Sequence, residues 1–230
     1  MFGFDPTFFM LIPALIFAFW AQFKVQGTYK KYSQVRAANG RTGREMAAAI
    51  MSRNGVTDVA IEEVGGVLSD HYDPRVKKVR LSTHNYRESS IAAIAVGAHE
   101  VGHVLQHAQG YFPLQIRSAL APVASFGSML AFPLFIIGIL FGSASFSPLL
   151  MDLGILLFTG AVVFQVVTLP VEFDASKRAL AQLTSSGAIH PEEVSMAKKV
   201  LDAAALTYVA AAAMAAIQLL RLILIRNSRD

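Results

Sequence analysis

Ala98-His99-Glu100-Val101-Gly102-His103-Val104-Leu105-Gln106-His107 decides how the rest of the chain is read. These ten residues contain H-E-x-x-H, inside a run that the sequence predicts as a helix from Ser89 to Gly110. Ser89 and Ser90 are N-cap residues by type, Gly110 is a stop signal, and Pro113 lies just beyond it. On a helix, His99 and His103 fall one turn apart on the same face, about 6 Å along the axis. Two imidazoles at that spacing can reach one tetrahedral zinc at about 2.0–2.1 Å, leaving positions for a third ligand and a water. Glu100 sits about 100° round the helix, where it can accept a proton from that water. The bland alternative is a helix whose histidines are ordinary core or surface residues. Against it, burying three polar groups in an otherwise apolar helix is costly unless they share a task. His107 extends the same face but lies about 12 Å from His99 along the axis, too far to share its metal. It is expected to support a ligand or to be structural.

The surroundings of that helix are unusual. The 230 residues are 54% hydrophobic and 16% charged, against a usual charged share of about 25%, and the mean hydropathy is +0.47. This is too apolar for an ordinary soluble enzyme. The polar residues concentrate between Lys24 and Arg117 and between Glu172 and Lys199, and the remainder reads as membrane. The absence of cysteine excludes a disulfide framework, a thiol nucleophile and thiolate-bound zinc, so zinc here must use His and carboxylate. The net charge of +4 is modest, and its basic residues form no nucleic-acid patch.

Working outward, Phe8 to Phe23 is a continuous apolar run broken only by Pro13 and Gln22. Lys24, Lys30, Lys31, Arg36, Arg41 and Arg44 follow it, with no small-residue cleavage site, so it reads as a retained membrane helix whose C-terminal end is cytoplasmic. Thr42 to Arg53 reads as a short helix, with Thr42 and Glu45 in capping-box spacing. Val59 to Val64, Val67 to Leu68 and Lys78 to Ser82 read as short strands, and Asp70 to Pro74 as a turn. Small strands before a zinc helix could align an extended peptide, or could equally be a structural hairpin. After the helix come apolar segments from Leu120 to Gly142, Leu149 to Leu169 and Ala203 to Ile225, with Ser143 to Pro148 as a turn. The last is the weakest candidate to span, since it carries Gln218 and Arg221.

Acidic residues leaving a membrane helix need a partner. If the second and third apolar segments form a hairpin, Glu172 returns to the membrane face that His103 left, and completes a His2Glu site with water as fourth ligand. Asp174 is the rival ligand.

With these residues quoted, the chain resembles the YugP-type neutral zinc metallopeptidases, which are bacterial membrane proteins. The resemblance runs over almost the whole length. It rests on Leu68-Ser69-Asp70-His71-Tyr72-Asp73-Pro74, the Ala98-to-Gln106 helix, Pro170-Val171-Glu172-Phe173-Asp174-Ala175-Ser176 and Leu201-Asp202-Ala203-Ala204-Ala205-Leu206-Thr207-Tyr208. More distantly, the chain is similar to HtpX and the type I CAAX prenyl proteases, whose Glu-Phe-x-Ala-Asp motif supplies the third ligand. That motif falls on Glu172. Its Asp slot holds Ser176 here, so Asp174 or Ser176 is expected to take over as support for a zinc-bound His.

Together these readings predict a mainly α integral membrane protein, with about four transmembrane helices and a small α+β zincin-like (gluzincin) catalytic domain. The expected division is a membrane helix over 1–25, a catalytic domain over 26–119, a membrane hairpin over 120–169, a third-ligand helix and connector over 170–202, and a fourth membrane helix with a basic tail over 203–230. The expected activity is zinc-dependent endopeptidase, with His99, His103 and Glu172 on zinc and Glu100 as general base. Tyr208, His190 and Arg178 are candidates for a further transition-state donor. The expected partners are a protein or peptide substrate, membrane-associated ones included, and the lipid bilayer, with room for a partner protein or an oligomer. The expected location is the bacterial inner membrane, multi-pass, with the catalytic domain cytoplasmic. The alternatives are a non-catalytic membrane adaptor keeping a structural zinc, for which Glu100 would be superfluous, and a metal-dependent transporter. For a transporter, Asp152 and Arg221 are meagre intramembrane charge.

Overall fold

In the computed structural model the described residues are 6–142, 144–185, 187 and 189–229. Ser143, the first residue of the expected turn, therefore lies outside them. A 3-10 turn (Pro6–Met10) leads into α1 (Leu11–Ser33), followed by α2 (Gly43–Arg53), β1 (Ala60–Val64), β2 (His71–Asp73) and β3 (Lys78–Ser82). Then come α3 (Thr83–Arg87), α4 (Ile91–Ala108), α5 (Phe112–Leu140), α6 (Ser147–Ser185) and α7 (Pro191–Asn227). The chain divides into two units. One comprises Met1–Trp20, Gln115–Leu169 and Thr207–Asp230, the other Ala21–Leu114 and Pro170–Leu206. We call them the apolar and the polar unit.

The polar unit is built round α4. Its start is cut by Ser90, whose Oγ accepts the N–H of Ala93 at 3.1 Å and satisfies one orphan donor of the first turn. The helix is buried over most of its length, packing Ile94, Ala98, Val101, Val104 and Leu105 with Met46, Ala47 and Ile50 of α2 and Val79 and Leu81 of β3. α2 starts in the expected capping box, with Glu45 N–H on Thr42 Oγ1 and Thr42 N–H on Glu45 Oε2. α2 and α4 come close because both contacts are glycine: a Cβ on Gly97 would lie 2.6 Å from Gly43 O.

Among the described residues the polar unit carries one three-stranded sheet in the order β1-β3-β2, with β1 parallel and β2 antiparallel to β3. Two of these strands coincide with the sequence expectation. The third corrects it: β2 occupies His71–Asp73, inside the stretch read as a turn, while Val67 and Leu68 lie outside any strand. The cause is a tertiary bond. The Asp70 carboxylate accepts from the N–H and hydroxyl of Ser82 and from Asn85 Nδ2, which fastens the following residues to the edge of β3. The reversal comes later, where Asp73 Oδ1 accepts the N–H of Arg75.

In the apolar unit, α5 and α6 form an antiparallel pair in close backbone contact. A Cβ on Gly127, Gly154 or Gly138 would meet Leu157 O at 3.0 Å, Ala131 O at 2.7 Å or Ser147 O at 2.9 Å. Such small-residue contacts are the way apolar helices pack when water does not drive them together. Ala131, Phe135, Met151, Phe158 and Leu222 form its core. Arg221 of α7 donates to Thr7 and Arg226 to Asp152, so the end of α7 lies beside the beginnings of both the N-terminal helix and α6. Among the described residues four helices are long and apolar enough to cross a membrane: Pro6–Ser33, Phe112–Leu140, Ser147–Ser185 and Pro191–Asn227. Each begins before the apolar run seen in the sequence, all but Phe112–Leu140 also end beyond it, and α6 passes through Pro170 without ending.

Candidate metal centre

His99 and His103 leave α4 one turn apart, their ring centroids 4.8 Å apart and the rings nearly perpendicular. Glu172 comes from α6, three residues past Leu169. Its Oε2 lies 3.2 Å from His99 Nε2 and 3.5 Å from His103 Nε2. One ligand atom from each residue falls within 4.8 Å of the others, so the three are positioned to bind a metal ion. The approach of the two helices depends on Gly102, where a Cβ would stand 2.4 Å from Ala175 O. Any larger residue there would push α6, and Glu172 with it, away from the histidines.

The outer ring nitrogens are already engaged. His99 Nδ1 is 3.1 Å from Ser176 Oγ, and His103 Nδ1 is 3.0 Å from Gln106 Oε1. That leaves both Nε2 atoms facing Glu172 Oε2, so the three prospective ligand atoms converge on one another. Two imidazoles and a carboxylate, supported from behind and without a thiolate, fit zinc with an open position for water. Gln106 is wholly buried, and its Nε2 donates to Val171 O and to Asp174 Oδ2, both at 2.8 Å. Asp174 also accepts from Arg178 Nε, and Arg178 donates to Gln109 Oε1 while its guanidinium lies over the Tyr111 ring.

Glu100 is buried beside the ligands, and its carboxylate accepts the backbone N–H of Tyr72 in β2. Burial pushes its carboxyl up to about 7; the charges of Glu172 and Asp70 act in the same direction, and His99 acts against them. A carboxyl near neutrality is suited to taking and returning a proton at working pH.

The other residues singled out in the sequence are dispersed. Ser176 touches His99, whereas Asp174 reaches the histidines only through Gln106. His107 is exposed, with Nδ1 2.8 Å from Tyr72 Oη. Arg178 is occupied by Asp174 and Gln109. His190 is exposed just before α7, its N–H on Glu193 Oε2. Tyr208 belongs to the apolar unit and is half-buried. Sequence reasoning missed two contributors. Gln106 had a local signal, standing three residues after His103 on the same helix face. The Tyr72 N–H had none, because its role depends on β2 forming.

The comparisons agree with this geometry. A protein-family model described as "Putative neutral zinc metallopeptidase" matches residues 7–227. The chain is 50% identical over 223 residues to "Putative membrane protease YugP" of Bacillus subtilis (strain 168), covering 96% of this chain and 97% of that protein. No solved structure matches the chain significantly. A family match over nearly the whole length and a metal-competent His2Glu cluster lead to one conclusion: the chain belongs to this neutral zinc metallopeptidase family.

Proposed function

We propose that the protein is an integral-membrane zinc endopeptidase in which Glu100 is the general base. The observation that carries this reading is a buried carboxyl, poised near neutrality, next to three residues positioned for a metal. His99, His103 and Glu172 would hold the zinc, which when bound acidifies water and polarises a peptide carbonyl. Glu100 takes a proton from the attacking water and returns it to the leaving amine. The Tyr72 N–H steadies the carboxylate between the two transfers. Glu100→Gln should keep zinc and lose cleavage of casein or a membrane protein substrate, and His103→Ala should lose both. Full cleavage by purified Glu100→Gln would overturn the assignment.

We further propose that the polar unit is cytoplasmic and that all four apolar helices span the bacterial inner membrane. The domain division of the sequence reading goes with this: a catalytic domain over 26–119, with the third-ligand helix and connector over 170–202 on the same side. Six Lys or Arg between Lys24 and Arg44 support the orientation by the positive-inside rule. The arginines at the end of α7 would then lie outside. Their engagement by Thr7, Asp152 and Ile139 O within the apolar unit supports that placement. Single cysteines near Lys30, at Ser147 and near Ser228 test it. Labelling near Lys30 by an impermeant reagent in intact cells would reverse the orientation, and protection near Ser228 would reduce the spans to three.

A further inference from the structure

We infer that Gln106 is a positioning residue: one buried amide sets the tautomer of His103 and ties it to the stretch of α6 that carries Glu172. The inference rests on the reading of His99, His103 and Glu172 as the zinc site. The orientation of a glutamine amide follows from its partners. Here Gln106 Nε2 faces two acceptors, the Val171 carbonyl and the Asp174 carboxylate, each at 2.8 Å. Neither can donate a proton, so the amide nitrogen must point at them. Turning the amide over would set its carbonyl oxygen against both in a fully buried place, at the full cost of unmade hydrogen bonds.

With the nitrogen held, Oε1 is the atom 3.0 Å from His103 Nδ1. An amide oxygen only accepts, so Nδ1 carries the proton, and the lone pair of the neutral ring lies on Nε2, the atom nearest Glu172. The information that selects this tautomer thus originates in α6. Val171 precedes Glu172 and Asp174 follows it by two, so the same amide holds a backbone carbonyl on one side of the third ligand and a side-chain carboxylate on the other. Asp174 is steadied in turn by Arg178, which also bonds Gln109 just beyond the end of α4. The two imidazoles are therefore held unequally. A serine hydroxyl can donate or accept, so Ser176 leaves His99 either tautomer, whereas Gln106 leaves His103 one.

The test uses the full chain in detergent or nanodiscs. Zinc affinity is measured by chelator competition, and site geometry by the d–d absorption of the cobalt(II)-loaded protein. Gln106→Leu should weaken zinc by about 10–100-fold and alter the cobalt band. Asp174→Ala should weaken zinc less, by about ten-fold at most, and should add nothing in the Gln106→Leu background, because its effect passes through Gln106. Wild-type affinity and an unaltered band in Gln106→Leu would overturn the inference, as would additive losses in the double variant. If Gln106→Leu does not fold, Asp174→Ala decides by itself: a changed band supports the inference and an unchanged band with wild-type affinity overturns it. His103→Ala separates the two levels. If it binds zinc like wild type, the zinc site itself is misassigned. If it loses zinc while Gln106→Leu and Asp174→Ala are silent, only the role of Gln106 fails.

Discussion

In the polar unit, α4 buries its polar groups in pairs and turns apolar side chains onto α2 and β3. In the apolar unit, α5 and α6 meet closely at glycines and enclose Phe135, Met151 and Phe158, while many of their other large apolar side chains face outward; Phe126 and Leu156 are both 66% exposed. The difference teaches that burial sorts apolar from polar side chains in one unit, whereas in the other large apolar side chains lie both inside and outside and close backbone approach decides which faces meet. Water penalises exposed apolar area, so the polar unit has a hydrophobic core, and a polar group enters it only with a partner. Helices with lipid around them gain little from hiding leucine, and what decides their packing is how closely backbones can approach. Glu100, His103, Gln106 and Glu172 are all buried in the polar unit, and under the proposed zinc reading a shared task offsets the cost of burying them.

The largest expected effect comes from disturbing those buried groups. Glu100→Gln should lower hydrolysis by about 10²–10⁴-fold in an assay with purified protein, at unchanged zinc content. The same substitution should change the stability of the metal-stripped protein in a pH-dependent way. Because folding raises the Glu100 carboxyl from 4.5 to about 7, the folded state holds the proton more tightly. That stability is present below about pH 4.5 and is lost as pH rises through about 7. Glu100→Gln should match wild type near pH 4.5 and exceed it by on the order of 3 kcal/mol at pH 8, read as thermal midpoints of the metal-free protein.

Glycine contacts sharpen the comparison at smaller cost. Gly102→Ala forces a methyl against Ala175 O and Gly154→Ala forces one against Ala131 O. Each should destabilise its unit by about 1–3 kcal/mol. Chelator competition should find weaker zinc in the first and wild-type zinc in the second, since only Gly102 spaces the ligand helices. The smallest effect is expected at Asp152→Asn. Its pair with Arg226 is partly exposed and should contribute about 0.2–1 kcal/mol, declining with salt, with no change in zinc binding.

What the sequence determined by itself was local. Helical spacing put His99 and His103 on one face, Ser90 and Thr42 marked helix starts, 59–64 read as a strand-like piece and 78–82 as an alternating strand, and apolar length marked four helices. The spacing, caps and strand signals depend on near neighbours and the apolar lengths on runs of about 20 residues, so all are written in consecutive residues. Tertiary structure decided the rest. β2 exists because Asp70 bonds Ser82 and Asn85, and α6 runs on through Pro170 while Val171 and Ala175 pack fully buried in the polar unit. Whether Ser176 or Asp174 would support a histidine was open from the motif, since both lie within one turn of Glu172. The approach of α6 to α4 at Gly102 gives His99 the serine, and gives Asp174 to Gln106. The physical reason is distance: a hydrogen bond is won or lost over a few tenths of an ångström, and between residues some seventy positions apart that separation is set by how helices pack.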